Sequence, residues 1–203
     1  MKQFCGGFSL PISTDVLTKL IERDSSDLDL YADLSVEGPD VEGVTDFYPG
    51  KRPRVRIAAS LSEHRSENRL RTTLTHEWGH VWFHDSLWQV EIRNPSMHAQ
   101  IAAQPSPKCK RDRIFSAPDV DWMEWQAGYA CGAVLMPLSH IRTAVKIFCD
   151  ERGLYSPLME ASAPAITLID IVVKTFAVSR DAARVRLSKL GFLTATDLGP
   201  TLF

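Results

Sequence analysis

Residues 72 to 84 read Thr-Thr-Leu-Thr-His76-Glu77-Trp-Gly-His80-Val-Trp-Phe-His84 and contain the pattern H-E-x-x-H. On an α-helix, four residues turn through about 400° and rise about 6 Å, so His76 and His80 share one face and can close on one metal ion. Glu77 lies beside them. A carboxylate there can take a proton from water that a zinc ion has made acidic, with a pKa near 7. The bland alternative is an amphipathic helix with two ordinary histidines. Leu70, Leu74, Val81 and Trp88 place the pair on a helix from about residue 66 to 87 that is partly buried, where unpaired imidazoles are costly.

Two histidines leave a catalytic zinc site one protein ligand short. His84 lies two turns beyond His76, about 12 Å along the axis, too far for the three rings to converge, and reads instead as a residue behind the ligands or at the helix end. The better candidate is Glu124. Ala127, Gly128 and Cys131 follow it at +3, +4 and +7, a stripe of small side chains that lets this helix approach Gly79 of the first one, and Pro137 ends the helix. The competing reading makes Glu124 a solvated charge on a core helix. Asp119 and Asp121 are rival carboxylates, better suited to capping the start of that helix.

The block from Arg71 to His80, Arg-Thr-Thr-Leu-Thr-His-Glu-Trp-Gly-His, resembles the R-F-T-L-A-H-E-L-G-H of the ImmA/IrrE metallopeptidases. Glu124 to Pro137 is similar to that family's E-x-x-A-N-x-F-A-x-x-L-L-M-P, and Phe176 to Gly191 to its F-x-V-S-x-x-A-A-x-x-R-L-x-x-L-G. The resemblance spans roughly residues 50 to 191 and departs at Thr72, Trp78, Gly128 and Ala130, where the family has Phe, Leu, Asn and Phe. It implies a zincin-like fold, zinc held by His76, His80 and Glu124, and Glu77 as general base. It also implies a site-specific endopeptidase whose substrate is a helix-turn-helix repressor of a mobile element or a stress response.

The elements that must position these residues read as an α+β fold. Ser13-Thr14-Asp15 starts a helix carrying Val16, Leu17, Leu20 and Ile21 on one face, and alternation predicts strands over 27–34, near 44–48 and over 54–58. The expectation is a short antiparallel sheet flanking the H-E-x-x-H helix, with the strand at 54–60 as a possible edge for a peptide substrate. Helices follow at about 138–152, 164–176 and 179–190. The expected division is a metallopeptidase domain over 1–152 and a helical extension over 153–203. The segment from 81 to 123, with its prolines and the basic run Lys108-Cys109-Lys110-Arg111, would shape substrate access.

With 203 residues, 44% of them hydrophobic, the chain can bury a core as one domain with at most a small appendage. No signal peptide or membrane span is read, and four scattered cysteines are expected to be mostly reduced thiols in the cytoplasm, with Cys109 the one placed among cations. Net charge is −2, yet residues 1–50 are acidic and 51–71 basic, an asymmetry that steers a charged partner or is simply solvated. A second donor for a developing oxyanion can be sought in Tyr129, His98 or His140. Two other classes stay open: a non-catalytic zinc-site regulator of the toxin–antitoxin type, and a DNA-binding regulator using the basic helix with Arg180, Arg184, Arg186 and Lys189. Nucleic acid is the less favoured partner, because the chain as a whole is slightly acidic.

Overall fold

A computed structural model of the chain describes residues 10–48, 50–63, 67–89, 108–110 and 122–195. These form two compact units that divide inside one helix, between Cys131 and Gly132.

In the first unit, helix α1 (Thr14–Asp24) is capped by Ser13, whose side chain accepts from the Val16 amide, and it buries Leu17, Leu20 and Ile21. Strands β1 (Asp27–Ala32), β2 (Val41–Tyr48) and β3 (Lys51–Ala58) follow, the last two joined through Gly50 at φ 69. Together with β4 (Lys108–Lys110) they make a sheet of order β1-β3-β2-β4. Expectation and structure differ here. The sheet is mixed rather than antiparallel, since β1 runs parallel to β3, with Asp27 opposite Arg54 and Asp29 opposite Arg56. The chain leaves β1, passes over the place β3 will occupy, and returns as β2, so the later β3 fills the gap between them. In consequence the strand proposed as a free edge is hydrogen-bonded on both sides, to β1 and to β2. The edges among the described strands are β1 and β4.

Part of the charge asymmetry is neutralised at this sheet. On β3, Pro53, Val55 and Ile57 are buried while Arg54 and Arg56 face the other way. Arg54 pairs with Asp27 and Asp29, and Arg56 with Asp46 at 2.6 Å and Glu37 at 2.9 Å. The basic stretch thus answers the acids of β1 and β2.

Helix α2 (Ala59–Glu63) leads to the long helix α3 (Glu67–Gln89), which packs on β2 and β3 and against α1. Thr14 donates to Glu67 and Trp78 to Asp24, contacts at matching ends that make α1 and α3 parallel. Residues 71–77 of α3 are all buried, while Trp82 and Phe83 further along are exposed, so the helix is partly buried as expected. Its buried threonines find acceptors: Thr72 and Thr75 donate to the carbonyls of Asn68 and Arg71, and Thr73 to Glu42 on β2. Buried Glu42 is also ion-paired with Arg69. Helix α4 (Trp122–Leu135) starts in this unit and ends in the next.

The second unit continues from α4 into α5 (Leu138–Asp150), which starts after Pro137 and buries Ile141, Val145, Phe148 and Cys149. Helix α6 (Ala163–Phe176) is capped by Ser162 and α7 (Arg180–Lys189) by Ser179, with Ala177 in the left-handed region between them. Strands β5 (Leu158–Met159) and β6 (Leu193–Thr194) pair in parallel. Leu168, Ile169, Val172 and Phe176 of α6 and Ala182, Ala183 and Leu187 of α7 are buried. The helix limits match the expected ones closely. Seven α-helices lie among the described residues, and none is long and apolar enough to cross a membrane.

Candidate metal centre

Helix α3 places His76 and His80 one turn apart, both fully buried, with their Nε2 atoms 3.1 Å from each other. Glu124 enters from the first turn of α4, where the helix dipole favours a negative charge. Its Oε2 is 3.1 Å from His76 Nε2 and its Oε1 3.2 Å from His80 Nε2. Three donor groups from two helices therefore meet in a nearly equilateral triangle, the one such cluster among the described residues.

The approach of the two helices depends on small residues. A Cβ added at Gly79 would lie 3.0 Å from Ala127 Cα and 3.3 Å from Ala130 Cβ, tight enough that the neighbouring helix would have to give by a few tenths of an ångström. Further along the same face, the Cys131 thiol donates to the Thr72 carbonyl at 3.4 Å. Of the small-residue stripe expected after Glu124, Ala127 and Cys131 take part in this close packing, and Ala130 joins them.

Electrostatics set the protonation of the cluster. Burial pushes the His80 imidazole down to about 4, which leaves it uncharged at neutral pH. Burial alone would push the Glu124 carboxyl up, but its contacts with His76 and His80 outweigh that and hold it well below the usual carboxylate range. A neutral His80 ring, the His76 ring and a carboxylate thus face one another in a buried cluster. Each Nε2 carries at most one proton, so the three short contacts cannot all be ordinary hydrogen bonds. A cation resolves the conflict. Donors at about 2.0–2.1 Å from a tetrahedral ion lie about 3.3 Å from one another, close to the spacing found. The residues present therefore fit a metal ion.

Glu77, also fully buried, is held from the sheet side. Thr45 Oγ1 on β2 donates to its Oε2 at 2.5 Å. A Cβ at Gly43 would lie 2.5 Å from Glu77 Oε1 and 2.9 Å from its Cδ, so the bare backbone at Gly43 is what leaves room for the carboxylate. Neither residue stood out in the sequence, although a glycine inside a strand is a known mark of close approach.

His84 is buried but does not join the triangle. Its Nδ1 lies 3.1 Å from His80 Nδ1, on the side of the His80 ring opposite the cluster, and its Nε2 is 2.9 Å from Gln126 Oε1. The sequence placed His84 behind the ligands and had no signal for Gln126. Of the suggested oxyanion donors, Tyr129 is half exposed and stacks on Trp125, which stacks on Trp122, while His140 is exposed beside Ser139 in the second unit. His98, Asp119 and Asp121 lie outside the described residues, as do Cys5 and the side chain of Cys109. Cys131 and Cys149 are buried thiols.

The arginines of α7 are occupied within their own unit. Arg180 pairs with Asp170, Arg184 with Asp181 and Glu160, and Arg186 is buried and donates to the Met136 carbonyl. No protein-family model matches the chain, and a comparison with curated proteins finds no match.

Proposed function

We propose that the chain is a cytoplasmic, zincin-like zinc endopeptidase of the ImmA/IrrE type, in which His76, His80 and Glu124 hold the ion and Glu77 is the general base. The triangle of two Nε2 atoms and a carboxylate at 3.1–3.2 Å carries this reading. Three of four tetrahedral positions taken by protein is the catalytic pattern, since structural zinc sites are closed by four. The bound ion supplies Lewis acidity for a carbonyl and lowers the pKa of water to about 7.

Glu77 accepts a proton from the attacking water and delivers it to the departing amine, a role that requires an ionised carboxylate held in one place. Thr45 and Gly43 provide that placement from β2. The substrate class, a helix-turn-helix repressor, is proposed from the three resembling blocks alone.

A DNA-binding role for α7 gains no support from its arginines, which are spent on acids and a carbonyl of their own unit. A non-catalytic zinc regulator is separated by experiment. Purified protein is incubated with candidate helix-turn-helix repressors, and cleavage is followed by mass spectrometry. Cleavage by the wild type and none by zinc-loaded Glu77→Gln is the expected result. Equal cleavage by Glu77→Gln removes the mechanism, and none by either protein favours the regulator.

A further inference from the structure

We propose that Gln126 and His84 are positioning residues that fix the tautomer of His80, so that its Nε2 presents a lone pair to the metal; this rests on the metal-centre reading above. Three groups stand in line: Gln126 Oε1 lies 2.9 Å from His84 Nε2, and His84 Nδ1 lies 3.1 Å from His80 Nδ1. Both rings are buried, so water does not serve in place of these partners.

The direction of the chain follows from what each atom can do. An amide oxygen only accepts, so the His84 proton is on Nε2. His84 Nδ1 is then a lone pair, and the contact at 3.1 Å needs its proton from His80 Nδ1. A neutral His80 that spends its proton there has none at Nε2, the nitrogen that faces His76 and Glu124. Reversing the amide of Gln126 reverses every step and puts a proton where a metal must bind. His76 has no such guide: its Nδ1 is buried without a hydrogen-bond partner among the described residues. In the metal-free protein His76 is free to carry its proton on Nε2, towards Glu124, leaving His80 Nδ1–H to His84. Gln126 stands two residues after Glu124 on α4, so the relay also clasps the two ligand-bearing helices beside the metal itself.

The test has two arms. Zinc affinity is measured at pH 8, where imidazoles are uncharged, by competition with a chromophoric chelator on the full chain and on variants shown to be folded by circular dichroism. His84→Phe and Gln126→Leu should bind zinc about 10–100-fold more weakly, the usual effect of losing a partner behind a ligand. Gln126→Glu, whose carboxylate can only accept, should stay within about threefold of wild type. Unchanged affinity in both deletion variants overturns the proposal, as does a loss in Gln126→Glu equal to that in Gln126→Leu. The second arm records ¹⁵N–¹H correlations of the histidine rings in metal-free wild type, which needs no variant. His80 protonated at Nδ1 and His84 at Nε2 is the expected pattern; the reverse pattern overturns the relay. A wild-type chain that binds no zinc yet shows the expected tautomers refutes the metal centre and leaves the relay standing.

Discussion

At the scale of single residues, the site is a balance between burial and mutual neutralisation. His80 is pushed down to about 4 by burial, against 6.5 for an unconstrained imidazole. As pH falls from 6.5 towards 4 the unfolded chain takes up a proton that the folded chain refuses, so stability is lost over that window. Glu124, held below its ordinary 4.5 by His76 and His80 in spite of burial, acts with the same sign at lower pH: its contribution is present above 4.5 and lost on acidification. Metal-free protein should therefore melt at a lower temperature at pH 5 than at pH 7.5, and Glu124→Gln should flatten the dependence below pH 4.5. Thermal unfolding followed by circular dichroism in the presence of chelator reads both. Gly43 gives a second prediction at this scale. The methyl of Gly43→Ala collides with the buried Glu77 carboxylate, and overpacking of this kind costs about 1–3 kcal/mol, measurable by urea denaturation, while zinc binding persists. His76, His80 and Glu124 were legible because a ligand needs a particular side chain. Thr45, Gly43 and Gln126 were not, because their roles come from tertiary neighbours and their types are common.

At the scale of elements, the contact of α3 with α4 decides whether the ligands meet. Gly79→Ala tests it, with two effects opposed. Replacing a mid-helix glycine by alanine favours the helix by about 1 kcal/mol. The added methyl meets the Ala127 backbone at 3.0 Å, and relieving such a clash costs about 1–3 kcal/mol. The clash should win: the variant is expected to keep full helix content by circular dichroism and to bind zinc more weakly in a chelator competition. Affinity equal to wild type would show that the helices have slack at this point. The helices α1, α3, α5, α6 and α7 were readable from caps and apolar spacing, as Ser13, Ser162 and Ser179 show. Strand order was not. Alternation reports that β1 and β3 each have a buried face, but it carries no sign of parallel pairing, and only the facing of Asp27 and Asp29 by Arg54 and Arg56 reveals the register.

At the scale of the molecule, the first unit holds every residue of the candidate centre, and in the second the arginines of α7 are engaged within their own unit. The most direct measurement is the metal content per chain of purified wild type, Glu77→Gln and Glu124→Ala, by inductively coupled plasma mass spectrometry after equilibration with zinc and gel filtration. One zinc per chain in wild type and in Glu77→Gln, with a loss of most of it in Glu124→Ala, is the predicted result; a wild type without metal, or Glu124→Ala retaining as much as wild type, contradicts the account.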